Sequence, residues 1–217
     1  MIRGLIFDLD GVIVDTAKYH YLAWKELADS LGIRFTKKDN ERLKGVSRVR
    51  SLEIILEIGG LTLNQAQQQA YRTQKNDRYL EYIHKLKEEE ILPGARQFLL
   101  DARAAGYQIA LGSASKNAML ILEKLKIAQL FDAVIDGTSV TKAKPDPEVF
   151  LKGAEALHVP AGECVIFEDA EAGIEAAHNA GMKAVGIGSR KRLPEADLHI
   201  PGFTGVTPQA LLKRLNG

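Results

Sequence analysis

Cysteine is almost absent from the chain: Cys164 is the only one in 217 residues. That excludes an internal disulfide and any metal site built from cysteines. Its setting in the apolar run Glu163-Cys164-Val165-Ile166-Phe167 makes it a buried strand residue rather than a nucleophile. A surplus of either charge is also missing. A formal net charge of +1 gives no electrostatic case for nucleic acid or an anionic membrane surface. No apolar run approaches the roughly 20 residues of a membrane span. A basic leader followed by an apolar stretch and a small-residue cleavage site is lacking as well, so the expectation is a cytoplasmic protein. There is no repeat of fixed period and no low-complexity segment. What remains is an ordinary globular balance, 46% hydrophobic and 26% charged, in a length suited to one domain or a core with an insertion.

The chemistry is concentrated first at Gly4-Leu5-Ile6-Phe7-Asp8-Leu9-Asp10-Gly11. A short apolar run reads as a buried strand, and it stops in two aspartates one residue apart. Buried carboxylates are costly unless a metal, a donor or a proton stabilises them. Gly11 then allows a turn that a residue with a β-carbon resists.

From Ala17 to Leu31 the apolar residues fall at helical spacing, and His20 and Trp24 share a face. Packing alone would account for both. Thr36-Lys37-Lys38-Asp39 resembles a capping box. The loop Leu43-Lys44-Gly45-Val46-Ser47-Arg48 leads into a helix that Ser47 can cap and that Gly59 and Gly60 end. Asn64 to Leu86 is polar and helix-favouring. From Leu92 onward strands alternate with helices: helix 95–105, strand 107–111, helix 118–125, strand 133–135, helix 148–157, strand 164–167, helix 170–180 and strand 183–187. A last helix starts at Thr207-Pro208. The expectation is an α/β fold, a Rossmann-like parallel sheet with helices on both faces. Its core is 1–14 plus 92–217, with a helical cap, 15–91, inserted after the first strand.

In such a sheet ligands bind beyond the carboxyl ends of the strands. Those ends carry Asp8 and Asp10, then Ser113 read as lying at a helix start, then Lys144, then Glu168 and Asp169. The carboxylates suit Mg²⁺, which takes a few hard oxygens. A lysine and helix-start amides suit phosphoryl oxygens, and a carboxylate nucleophile would form an acyl phosphate. Singly, each has a bland reading: a cap, a surface lysine, a solvated acidic turn. Their coincidence at successive strand ends favours chemistry.

Asp8-Leu9-Asp10-Gly11-Val12 with Asp15, then Ser113, Lys144-Pro145 and Glu168-Asp169 resemble, in order and over the whole length, the four motifs of haloacid-dehalogenase-superfamily phosphotransferases. Residues 43–48 with Ser51-Leu52, and Gly112-Ser113-Ala114-Ser115-Lys116-Asn117, are similar to loops of the β-phosphoglucomutases of that superfamily. The resemblance implies interconversion of β-D-glucose 1-phosphate and glucose 6-phosphate through β-glucose 1,6-bisphosphate. It implies Asp8 as nucleophile and Asp10 as general acid/base. It implies Mg²⁺ on Asp8, the Asp10 carbonyl and Asp169 with Glu168 nearby. Ser113, Ala114 and Lys144 would hold the transferring phosphoryl group. Arg48 would take the other phosphate, assisted by Ser115 and Asn117. Thr16, His20, Trp24, Lys44, Gly45, Val46, Ser51, Lys75 and Asn76 would line the sugar site or the closing cap. Ala170 departs from the serine these mutases often carry, and Lys144-Pro145 is an expected cis peptide by resemblance. The implied partner is a small sugar phosphate, with a monomer as the default. The competing readings are a sugar-phosphate phosphatase on the same scaffold and a phosphate- or metal-binding module without turnover.

Overall fold

The structure, a computed structural model, describes residues 1–43 and 46–216. In chain order the first elements are β1 (Gly4–Phe7), α1 (Ala17–Ser30), α2 (Lys37–Asn40), α3 (Arg48–Gly59) and α4 (Gln65–Ile83). Then come α5 (Ala95–Ala104), β2 (Gln108–Gly112), α6 (Ala118–Lys124), β3 (Ala133–Ile135) and α7 (Glu148–Ala156). The chain finishes with β4 (Cys164–Glu168), α8 (Glu171–Asn179), β5 (Lys183–Ile187), β6 (Leu198–Ile200) and α9 (Pro208–Asn216). Two compact units result, Met1–Asp15 with Lys87–Gly217, and Thr16–Leu86.

The first unit is built on a parallel sheet of order β3-β2-β1-β4-β5-β6. The expected α/β architecture is the one observed. Leu-Ile-Phe in β1 and Val-Ile-Phe in β4 are continuous apolar runs, as a sheet covered on both faces requires. Alternation sends Ile6 and Ile166 to one face, where they pack with Val149, Phe150, Ile174 and Ala177 of α7 and α8. Phe7 and Phe167 go to the other, stacked with centroids 4.4 Å apart and joined by Phe98 of α5 and by Phe203. Full burial of each ring contributes about 1.5–3 kcal/mol. The register aligns Phe7 with Leu111 on one side and Phe167 on the other, and Glu168 with Gly186. Asp8 and Glu168 therefore leave the sheet at one level, with Ser113 one residue further along its own strand's path. β6 was not foreseen. It has three residues with a histidine in the middle, too short for a periodic signal.

The second unit is helical among its described residues. Thr36 and Asp39 form the expected capping box, and Asn64 with Gln67 forms another. The Ser47 hydroxyl accepts the Arg50 N–H at 3.2 Å, starting α3, and Gly60 ends it in the left-handed conformation. The apolar stripes of α1 and α3 meet in a core of Trp24, Leu27, Phe35, Leu52 and Ile55. Among the described residues no helix is long and apolar enough to cross a membrane.

Candidate active site

Asp8 follows the last residue of β1 and stays anchored to the neighbouring strand, its N–H donating to the Phe167 carbonyl at 2.9 Å. Lys144 reaches it from the loop between β3 and α7. Its ammonium donates to Asp8 Oδ1 at 2.6 Å and to Glu168 Oε1 at 2.7 Å, and it lies 4.7 Å from the Phe150 ring centroid. The lysine and Glu168 side chains are 2% and 1% exposed, so the ion pairs sit where water screens little. Burial pushes the Asp8 carboxyl up to about 6, against the pull of Lys144, with Glu168 adding to the rise. Burial alone would push Lys144 down, but Asp8 and Glu168 outweigh it and hold the ammonium above the ordinary lysine range. The Lys144–Pro145 peptide is cis. Glu148 ties down the same loop: one of its oxygens accepts the N–H groups of Thr141 and Lys142 at 2.9 and 2.8 Å and the Thr141 hydroxyl at 3.0 Å. Lys152 first, and then these donors, hold the Glu148 carboxyl at about 2.

Glu168 uses both oxygens. While Oε1 meets Lys144, Oε2 accepts the N–H groups of Asp169 at 2.6 Å and Ala170 at 2.9 Å. Ala170, at the N-cap of α8, has no side chain to cap with, and the preceding glutamate takes its amide instead. Two glycines make room. A Cβ on Gly173 would lie 1.9 Å from Glu168 Oε1, and one on Gly11, at φ +82°, would lie 2.4 Å from Asp169 Oδ2. Arg192 holds Asp169 from the loop after β5, with Nη2 donating to the Asp169 carbonyl at 2.6 Å and to Oδ2 at 3.0 Å. Asp8, Glu168 and Asp169 each offer a ligand oxygen, all within 4.8 Å of one another. Three hard oxygen donors this close together, two of them also meeting the Lys144 ammonium, fit a divalent cation of the oxygen-loving kind.

Ser113 is 1% exposed, and its N–H donates to the Ile135 carbonyl of β3 at 2.9 Å. It does not stand at a helix start, because α6 begins only at Ala118. Its hydroxyl accepts the Ser115 N–H at 3.1 Å, and the Ser115 hydroxyl accepts the Asn117 N–H at 3.2 Å. A run of turns, not a helix terminus, shapes this loop. Ala114 fits it closely, since a Cβ on Gly137 would stand 2.3 Å from the Ala114 carbonyl oxygen. Asp10 continues from Asp8 and pairs its backbone with Val14 in an isolated bridge.

The second unit gathers His20, Trp24, Lys75 and Tyr79. Lys75, 2% exposed, has its ammonium 2.8 Å from His20 Nδ1 and over the faces of Trp24 and Tyr79 at 4.8 and 4.7 Å. An ammonium can only donate, so His20 accepts through Nδ1. Burial first, then Lys75 and Arg48, hold the imidazole well below its ordinary pKa, which keeps it neutral. Arg48 opens α3 and is partly buried. Burial lowers its pKa, and Arg72 lowers it further. Ser51 is buried and donates its hydroxyl to the Ser47 carbonyl, Val46 packs on the helical core, and Asn76 follows Lys75 on α4. Thr16 is fully buried at the head of α1, with no hydrogen-bond partner for its hydroxyl among the described residues. Lys44 and Gly45 lie outside the described residues.

Within the first unit the structure brings Asp8, Lys144, Glu168 and Asp169 into one cluster. The sequence reading missed Arg192, Glu148 and Gly173 as its supports. Arg192 had one available signal, a cation in the loop beyond the next strand end. The two others become visible only once Lys144 and Glu168 are placed.

A model of the haloacid dehalogenase-like hydrolases matches residues 2–181. The β-phosphoglucomutase of Bacillus subtilis is 44% identical over 211 residues, covering 96% of this chain and 93% of its own. A phosphorylated carbohydrates phosphatase of Thermotoga maritima is 30% identical over 185 residues, covering 84% and 83%. The crystal structure of a β-phosphoglucomutase from Clostridium difficile superimposes with a TM-score of 0.95 at 39% identity, covering 100% of this chain and 98% of that one.

Proposed function

The chain belongs to the haloacid dehalogenase-like hydrolase family, and from that membership we propose that it is a β-phosphoglucomutase, an isomerase acting on a small sugar phosphate. It interconverts β-D-glucose 1-phosphate and glucose 6-phosphate through β-glucose 1,6-bisphosphate. The likeness to the B. subtilis enzyme, 44% over nearly the whole of both chains, favours the mutase over the phosphatase. Residues 1–14 and 92–217 form the catalytic core in this reading, 15–91 the cap, and the cytoplasm is the proposed compartment.

Asp8 is the nucleophile. One of its carboxylate oxygens bonds to phosphorus as the bond from phosphorus to the sugar oxygen breaks, leaving an aspartyl phosphate and a sugar hydroxyl. Asp10 gives that oxygen its proton, and takes the proton from the other hydroxyl when the phosphoryl group returns to the sugar. Lys144, already fixed against Asp8 Oδ1 and Glu168 Oε1, offers its third donor to the phosphoryl oxygens, joined by the Ser113 hydroxyl and the Ala114 amide. Mg²⁺, the cation proposed for Asp8, the Asp10 carbonyl and Asp169 beside Glu168, would neutralise negative charge on the transferring group. Arg48 is the proposed guanidinium fork for the non-reacting phosphate, and Ser115 and Asn117 supply further polar groups. Thr16, His20, Trp24, Val46, Ser51, Lys75 and Asn76, with Lys44 and Gly45, are the proposed sugar-recognising and cap residues.

The test is to incubate the protein with Mg²⁺, β-glucose 1-phosphate and a trace of glucose 1,6-bisphosphate, following products by ³¹P NMR. Glucose 6-phosphate should accumulate with little free phosphate. Predominant release of inorganic phosphate would make the protein a phosphatase instead.

A further inference from the structure

The geometry points to Arg192 as a positioning residue for the divalent cation: it holds the Asp169 carboxylate in ligand orientation from the loop that joins β5 to β6. The inference rests on the reading that Asp169 helps hold the cation, and it concerns a residue outside the four motifs.

Arg192 reaches Asp169 twice through one nitrogen, Nη2. The shorter contact, 2.6 Å, is to the main-chain carbonyl, and the 3.0 Å contact is to Oδ2. The first fixes the backbone of the aspartate and the second fixes its side-chain torsion. The Asp169 N–H is meanwhile engaged by Glu168 Oε2 at 2.6 Å, and Gly11, lacking a β-carbon, gives the carboxylate the space it occupies. Asp169 is thus held at its N–H, its carbonyl and one carboxylate oxygen, which fixes the direction in which its carboxylate points. A carboxylate ligand whose second oxygen is hydrogen-bonded by an outer partner keeps its aim without an ordering cost at the moment of binding.

Arg192 is itself anchored. Its N–H donates to the Ser189 carbonyl at 2.9 Å, as does that of Leu193 at 3.1 Å, closing a turn. Leu193 is buried in the apolar cluster beneath the sheet, pinning the next residue. Gly188, at φ +139°, lets the chain leave β5 and passes beneath the guanidinium, with Cζ 3.8 Å from where a β-carbon would stand. The Arg192 side chain is nevertheless 47% exposed, so its truncation opens no core cavity.

Two effects of the arginine oppose each other, and this makes the inference testable. Its positive charge repels an incoming cation, so charge alone predicts that removal tightens binding. Its hold on Asp169 predicts that removal weakens binding, by about 10-fold or more.

The experiment titrates the full chain with Mn²⁺ and follows the free ion by electron paramagnetic resonance, comparing the unaltered protein with Arg192→Ala, Arg192→Gln and Arg192→Lys. We expect one bound Mn²⁺ in the unaltered protein and about 10-fold weaker binding in Arg192→Ala and Arg192→Gln. Partial recovery is expected in Arg192→Lys, with melting temperatures in EDTA close to that of the parent. Equal or tighter Mn²⁺ binding by the alanine and glutamine variants overturns the role of Arg192. So does a lowered melting temperature with unchanged Mn²⁺ affinity. If Arg192→Ala does not fold, the glutamine and lysine variants decide the matter. Asp169→Asn separates the two levels: if it leaves Mn²⁺ binding intact, the metal assignment itself fails and the inference falls with it.

Discussion

Each unit buries a lysine, and the two are stabilised by opposite means. In the sheet unit Lys144 meets two carboxylates, Asp8 and Glu168, at 2.6 and 2.7 Å. In the helical unit Lys75 meets a neutral imidazole nitrogen at 2.8 Å and two aromatic faces. Lys144 is held by full charges, and with Asp169 alongside, its surroundings keep a surplus of acid that attracts a cation. The described contacts of Lys75 are a dipole and two ring quadrupoles, and Arg48 is a second cation acting on the same imidazole. Under the proposed function the sheet unit carries the metal-assisted phosphoryl chemistry and the helical unit the recognition of a phosphate ester. That proposed division of labour is what would separate a mutase, which must hold a second phosphate, from a simple transfer of phosphate to water.

The sharpest way to break the comparison is to replace each ammonium by an isosteric thioether. Lys144→Met leaves two buried carboxylates without their cation and should cost about 3–5 kcal/mol, read as a melting temperature lower by roughly 10 °C in EDTA at pH 8. Lys75→Met forfeits cation–π contacts worth about 2 kcal/mol, a smaller loss. Equal losses would mean that the two sites are held by the same physics. Next in size, Arg48→Ala should reduce kcat/KM for the sugar-phosphate reaction on the order of 10²-fold. It should leave phosphorylation of Asp8 by acetyl phosphate nearly unchanged, and parallel losses in both would remove Arg48 from its assigned role.

Gly173→Ala probes the sheet unit alone. The new β-carbon would fall 1.9 Å from Glu168 Oε1, so the glutamate must leave Lys144 and its amide partners. A destabilisation of about 1–3 kcal/mol with weakened Mg²⁺ binding is expected, measured by denaturant unfolding and calorimetry. Unchanged Mg²⁺ binding would show that the Glu168 pose matters little. The smallest effect is on pH. Asp8 binds a cation only as the carboxylate, and its pKa is raised by burial to about 6. Mg²⁺ affinity should be flat above that pH and fall roughly tenfold per unit below it. Affinity that stays flat down to pH 5 would show that Asp8 is not a ligand.

Most of the sheet unit was legible because two signals coincide in it. Apolar runs such as Leu5-Ile6-Phe7 and Val165-Ile166-Phe167 mark the strands, and a polar residue ends each run where a parallel sheet places its ligands. β6 escaped because three residues carry no period. Ser113 was misplaced for a related reason: a polar stretch before a helix reads as a helix start, whereas Ser115 and Asn117 spread that stretch into turns. The supports were illegible in principle. Glu148 anchors the Lys144 loop and Arg192 anchors Asp169, but neither carries a spacing that identifies its partner. In the helical unit, His20 and Trp24 were placed on one face by periodicity. That Lys75 lies against both depends on how α4 packs on α1, which no local pattern states.

The nucleophile is the point on which the whole account turns, and it can be trapped. The protein is phosphorylated with acetyl phosphate in the presence of Mg²⁺ and reduced at once with borohydride, which converts an acyl phosphate to the alcohol, and peptides are then mapped by mass spectrometry. Homoserine at position 8, absent without the donor and absent in Asp8→Asn, is the predicted result. Homoserine at another carboxylate, or none under conditions of full turnover, would contradict it.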